Sequence, residues 1–278
     1  MADDARPSTV RLDAELVRRG LARSRRQARD LVADGVVLVH GRPAAKPSAP
    51  VPASAAITLV RAPDRWVGRA AYKLLHAIEV FGAQGLTVSG KRCLDVGAST
   101  GGFTQVLLEA GASRVVALDV GHGQLADALA DDPRVEERSG TNIRQVGAGD
   151  LGERFEVVVA DLSFISLRLV LDRLREQLAD HGDAVLLVKP QFEVGRDRLA
   201  RTGVVTSEHE RRRVLEATVR AARDSGLRPQ GVTRSPIAGA EGNREYLLWA
   251  APGRGADLGD DALRTMVTTV AERPEDTP

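Results

Sequence analysis

The sequence predicts an α/β chain. A parallel sheet with helices on both faces is expected over residues 70–278, a small α+β module over 1–60, and a linker over 61–69. Three observations carry this prediction. From Ala70 onward, apolar runs of strand length alternate with amphipathic helical stretches, the pattern of a sheet built from crossover units. Leu94-Asp95-Val96-Gly97-Ala98-Ser99-Thr100-Gly101-Gly102-Phe103 reads as a buried strand ending in an acid, a glycine-rich turn and a helix start. Before residue 61 the periodic segments are shorter and pattern as two helices and a ribbon.

In the N-terminal module, Leu12, Leu16 and Val17 share a helical face that Gly20 ends. Ser24 and Gln27 have capping-box spacing for a second helix, with Ala28, Leu31 and Val32 inward and Gly35 as its stop. Strands follow over 36–39 and 57–60, separated by a Pro/Ala/Ser-rich loop over 43–56. Arg18, Arg23, Arg25, Arg26 and Arg29 gather at the end of the first helix and the outer face of the second. Arg11 precedes them, and Arg65 and Arg69 lie in the linker. Residues 1–75 carry a net charge of +7 and the remainder −6, although the whole chain is only +1. Guanidinium forks match phosphate oxygens, so a basic front on an acidic body points to nucleic acid, with a solvated helix face as the plain alternative. No aromatic residue precedes Trp66, which favours structured RNA over stacked single strands. Arg11-Leu12-Asp13, Arg23-Ser24-Arg25-Arg26-Gln27-Ala28 and Gly35-Val36-Val37-Leu38-Val39-His40-Gly41 closely resemble the RNA-binding module named after ribosomal protein S4.

The body opens with an amphipathic helix over 70–81, with Leu74, Ala77, Ile78 and Phe81 inward. Strands are predicted over 92–96, 114–119, 155–160, 184–188, 229–234 and 245–250, with a weaker one near 135–138. Helices are predicted over 102–110, 123–130, 166–178 and 208–224, with a final one near 257–271. No long helix joins the last two strands, so an antiparallel pair is expected there. This alternation is Rossmann-like.

Composition excludes several classes. Cys93 is the only cysteine, so no disulfide or cysteine-based zinc site forms within one chain, and a reducing cytoplasm is the expected compartment. Met1 to Pro7 lacks the apolar run of a signal peptide. No uncharged apolar stretch approaches the ~20 residues that span a bilayer, so a soluble protein is expected. No membrane or metal partner is expected; oligomeric state is open, with a monomer favoured.

The Gly97-x-x-x-Gly101-Gly102 spacing differs from the Gly-x-Gly-x-x-Gly of dinucleotide enzymes. It suits S-adenosyl-L-methionine, which has no pyrophosphate to clamp. Asp95 is placed to meet the methionine ammonium through water or the loop, and Gly97, Ser99, Gly101, Gly102 and Phe103 to form the turn. Asp119 ends the second strand, 22 residues past Gly97, where such sheets bind ribose hydroxyls. Asn142 follows the weak third strand and is placed towards adenine. NAD is the competing ligand, disfavoured by the glycine spacing. No hydride-handling constellation stands out either, since His40, His76, His122, His181 and His209 all fall in turns or on exposed helix faces.

The strand ends also limit the methyl acceptor. Cys93 belongs to a buried strand, which disfavours covalent cytosine chemistry. Asp161-Leu162-Ser163-Phe164 lacks the prolines usual for amine acceptors. The remaining polar strand-end residues are Asp161, Lys189 and Glu245, joined by Lys73 on the first helix of the body. An unpaired buried ammonium is costly, so two lysines among two acids form either structural ion pairs or a catalytic set. A hydroxyl acceptor needs a base and nearby cations, and a lysine base must titrate well below ~10.4.

Five motifs then appear in order: Arg69-Ala70-Ala71-Tyr72-Lys73-Leu74, the Asp95–Thr104 turn, Asp161-Leu162-Ser163-Phe164, Lys189-Pro190-Gln191-Phe192-Glu193 and Gly242-Asn243-Arg244-Glu245-Tyr246. Together they resemble the TlyA family, whose members carry ribosomal RNA 2′-O-methyltransferase and haemolysin names and share an FtsJ-like catalytic domain. The resemblance implies a Lys73–Asp161–Lys189–Glu245 tetrad with Lys189 as base, and a cytidine 2′-hydroxyl of 16S and/or 23S rRNA, in ribosomal subunits, as acceptor. It also implies an effect on sensitivity to capreomycin-type antibiotics. Glu241 and Glu193 compete for an acidic role at the site. A membrane-active cytolysin and a non-catalytic ribosome-binding factor are the alternative functions.

Overall fold

Residues 9–62, 64–239, 242–255 and 258–271 are described by the structure, a computed structural model. The chain divides into two units, Met1–Arg65 and Trp66–Pro278.

The first unit runs β1 (Thr9–Arg11), α1 (Leu12–Arg18), α2 (Arg25–Ala33), β2 (Val37–Val39), β3 (Arg42–Pro43), β4 (Pro50–Pro52) and β5 (Ile57–Leu59). Leu12, Leu16, Ala28, Val32, Val37 and Val51 make its small core. The expected loop over 43–56 is partly ordered as sheet: β4 pairs antiparallel with β1, and β3 and β5 flank β2. Prolines sit in β3 and β4, short strands of the kind where a missing N–H is tolerated. The capping box is half formed. Ser24 Oγ accepts from Gln27 N at 3.2 Å, but the Gln27 amide oxygen accepts from Arg23 N instead of Ser24 N.

The second unit opens with α3 (Ala71–Gly82) and continues β6 (Arg92–Val96), α4 (Gly102–Glu109), β7 (Arg114–Asp119), α5 (Asp127–Ala130), β8 (Val135–Ser139) and β9 (Phe155–Ala160). It ends α6 (Leu171–Gln177), β10 (Leu178–Val188), α7 (Pro190–Glu193), α8 (Glu208–Asp224), β11 (Pro229–Arg234), β12 (Tyr246–Ala250) and α9 (Asp260–Ala271). The strands form one sheet in the order β11-β12-β10-β9-β6-β7-β8. β11 and β12 form the expected antiparallel pair at the edge of the sheet, and β12 also runs antiparallel to β10, so it lies between the two. Two apolar layers cover the sheet, one around Leu94, Val158, Leu186 and Leu248, the other around Leu74, Phe103, Val159 and Leu187. Strand order reverses between β6 and β9, which opens a crevice at their carboxyl ends.

Three elements differ from expectation. The helix over 123–130 shrinks to α5, because Gly121 and Gly123 precede it and Ala126 N is drawn to Thr100 O. The helix over 166–178 divides into a 3-10 turn, Leu167–Leu169, and α6. The strand over 184–188 extends back to Leu178 through a register shift before Asp183. His181 therefore belongs to a strand, not a turn.

Candidate active site

The crevice is built from the sheet outward. β6 delivers the glycine turn, and Asp161 N donates to Val96 O, joining the end of β9 to the end of β6. Gly97 has φ +86°, and a Cβ there would sit 2.5 Å from the Asp161 carbonyl oxygen, so only glycine lets the two strand ends approach. Gly101, at φ +94°, starts α4 and is closed over by Leu125 and Leu129.

Four charged side chains converge on this end of the sheet. Lys73 Nζ, from α3, lies 2.6 Å from Glu245 Oε2 and 3.7 Å from Asp161 Oδ2. Lys189 Nζ, just past β10, lies 2.6 Å from Asp161 Oδ1 and donates to Ser163 Oγ at 2.8 Å. Asp161 thus sits between two ammonium groups. Lys73, Lys189 and Glu245 are buried. Such charges are tolerable only because each is paired. Glu193 does not point into this set. Its carboxylate accepts from Leu167 N, Ser166 Oγ and Arg168 Nε, clamping the segment after Asp161 to the turn after Lys189. Glu241 lies outside the described residues. Phe164, at φ +64° and 92% exposed, stands beside Phe192 with ring centroids 5.4 Å apart.

The adjoining half of the crevice holds the other strand-end acids. Asp119 accepts from Ser99 N at 2.8 Å and Gly121 N at 2.7 Å, and it lines a cleft with Ser99, Gln124, Glu137 and Ser139. Each of its oxygens keeps a further lone pair for a hydroxyl. Asp95 is completely buried. Its Oδ2 accepts from Thr104 Oγ1 at 2.7 Å, its Oδ1 has no partner, and burial pushes its carboxyl up to about 7. The Asp161 and Asp119 carboxylates push the same way. The Phe103 ring is in the core, so only its backbone is at the turn. Asn142 spends its amide oxygen on Arg144 N, capping the 3-10 turn Ile143–Gln145. Cys93 is buried as expected, and desolvation pushes its thiol up to about 12. The glycine turn, the ribose-type acid and the orphaned buried oxygen fit a cationic nucleoside ligand.

In the first unit the arginines are less uniform than the sequence suggests. Arg18 forks onto Glu15 with two bonds of 2.6 Å, and Arg11 pairs with Asp13 at 2.8 Å. Together with Arg19, Arg18 holds the Glu15 carboxyl down to about 2. Arg23 donates to the carbonyls of Asp64 and Arg65. Arg25 and Arg29 are exposed on α2, as are Arg65 and Arg69 in the linker; the Arg26 side chain lies outside the described ones.

Comparison with known proteins decides the family. The FtsJ-like methyltransferase model matches residues 66–251 and the S4 domain model matches 10–57. Over 241 residues the chain is 50% identical to the 16S/23S rRNA (cytidine-2′-O)-methyltransferase TlyA of Mycobacterium tuberculosis, covering 86% of this chain and 89% of that one. The chain belongs to the TlyA family of FtsJ-like methyltransferases. A second relative, Hemolysin A of Brachyspira hyodysenteriae, is 36% identical over 86% of this chain and 98% of its own. A solved haemolysin-named structure from Streptococcus thermophilus superposes with TM-score 0.71 at 34% identity, over 95% of this chain and 96% of that one. Family and fold imply use of S-adenosylmethionine. Among the described residues no helix is long and apolar enough to cross a membrane, and no cluster of metal-binding side chains occurs. Sequence reasoning missed Ser163 and Gln191 as partners of the tetrad. Their place inside the Asp161 and Lys189 motifs was the available signal.

Proposed function

We propose that this TlyA-family protein methylates the ribose 2′-hydroxyl of cytidine in 16S and/or 23S rRNA, acting on ribosomal subunits in the cytoplasm. The observation that carries the reading is Asp161 held between Lys73 and Lys189, with Glu245 on Lys73, beside the glycine turn. S-adenosylmethionine, when bound, supplies an electrophilic methyl on a sulfonium. Asp95, Gly97, Ser99, Gly101, Gly102, Asp119 and the backbone at Phe103 are the residues assigned to hold it, with Asn142 and Asp161 at its margins.

The four charged side chains handle the proton and the developing charge. Lys189, in its amine form, takes the proton of the ribose hydroxyl. Lys73, bound by Glu245, is the fixed cation that steadies the oxygen as negative charge grows on it. Asp161 orients both Nζ atoms. The S4 unit supplies phosphate contacts through Arg25, Arg26 and Arg29, and Arg65 and Arg69 are further RNA-binding candidates; Arg11, Arg18 and Arg23 contribute less, being bound within their own unit. The test is to map 2′-O-methyls on rRNA from cells with and without the protein. Loss of a cytidine methyl from 16S or 23S rRNA is expected, and identical maps overturn the reading.

A further inference from the structure

Among the described residues, two buried side-chain polar atoms lack a hydrogen-bond partner: Asp95 Oδ1 and Gln191 Oε1. Such orphans are rare in native proteins. Gln191 lies two residues after Lys189, in α7. Its Nε2 donates to Glu245 Oε1 at 3.3 Å, while the other Glu245 oxygen accepts from Lys73 at 2.6 Å. Turning the amide over would set its oxygen against a carboxylate oxygen, so Glu245 dictates the orientation that strands Oε1. Glu245 has little room to yield. It is 2% exposed and packs on Gly239, where any Cβ would collide with its carboxylate. The turn carrying Gln191 is fixed too, by the three bonds that Glu193 accepts from residues 166–168.

We infer that Gln191 is a positioning residue, the fifth member that closes the four charged side chains into a ring. The circuit runs Lys189–Asp161–Lys73–Glu245–Gln191 and returns to Lys189 along the backbone. Without Gln191, Glu245 Oε1 loses its donor, and even the small rotation its packing allows loosens the Lys73 contact and shifts Lys73 towards Asp161, at 3.7 Å, whose other oxygen holds Lys189. The inference rests on the 2′-O-methylation reading but makes one claim independent of it, a coupling between Gln191 and Glu245.

Two variants test it. Gln191→Met keeps the length and removes the donor. Gln191→Glu keeps the shape: protonated, it can donate to Glu245; ionised, it repels it. Initial rates are measured with S-adenosylmethionine and ribosomal subunits lacking the methylation, from about pH 5.5 to about pH 8.5. Gln191→Met is expected to lower kcat about tenfold to a hundredfold at every pH, the usual cost of a lost hydrogen bond to a charged group, with KM little changed. Gln191→Glu is expected to match that loss at high pH and to recover relative to Gln191→Met as pH falls. Wild-type kcat in Gln191→Met, or no recovery in Gln191→Glu, overturns the inference. A double-mutant cycle of Gln191→Met with Glu245→Gln, read by thermal unfolding, needs no turnover. Non-additive shifts are expected and additive ones overturn the coupling. Inactive wild-type protein would instead count against the functional reading alone.

Discussion

Asp95 gives the most quantitative prediction. Its carboxyl is completely buried, accepts from Thr104, and is pushed from an ordinary 3.8 up to about 7. Between those values the folded protein keeps a proton that the unfolded chain has lost. Stability therefore falls as pH rises through this window and levels off above it. At 1.36 kcal/mol for each pH unit, the Asp95 contribution changes by about 3 kcal/mol between pH 5 and pH 8. Asp95→Asn cannot titrate, and its amide oxygen can still accept from Thr104. The difference in unfolding free energy between wild type and variant should thus shift by about 3 kcal/mol in the variant's favour from pH 5 to pH 8. Denaturant titrations followed by tryptophan fluorescence suit the measurement, because Trp66 and Trp249 both lie in the unit that holds Asp95. A difference constant to within about 0.5 kcal/mol across that range refutes the reasoning.

Other outcomes follow from the same geometry. Cys93, whose thiol is pushed up to about 12 by burial, should resist a disulfide reagent near pH 8 in the native state and react on unfolding. Labelling at the rate of a free thiol contradicts this. Arg25→Ala and Arg29→Ala should each reduce the salt dependence of RNA binding by about 0.7–0.9 in log–log slope per lost phosphate contact. Arg18→Ala, which breaks a fork onto Glu15, should change the slope less. Equal slopes for Arg18→Ala and Arg25→Ala count against the proposed phosphate contacts.

Much of this was legible because the information is local. The β6 strand, its glycine turn and the α4 start are contiguous, and Asp119, Asp161 and Lys189 each adjoin or end their own apolar strand, β7, β9 and β10. What escaped needs a partner far along the chain. Glu193 meets donors 25 to 27 residues away, so its clamp has no signature in its own neighbourhood. Gln191 is stranded by Glu245, 54 residues on. β10 hides its first half because Asp180, His181 and Gly182 look like a turn, and they fall in the register shift between the Leu178 and Asp183 pairs with β9. The Arg18 fork is a different case. Glu15 and Arg18 stand three residues apart on one helix, a pairing distance visible in the sequence.

The most direct measurement replaces a single amine. Lys189→Ala is assayed for methyl transfer to subunits lacking the modification, alongside calorimetric titration with S-adenosylmethionine. Turnover should vanish while cofactor affinity stays near the parental value. Methylation at the parental rate would contradict the assignment of Lys189 as the group that takes the ribose proton.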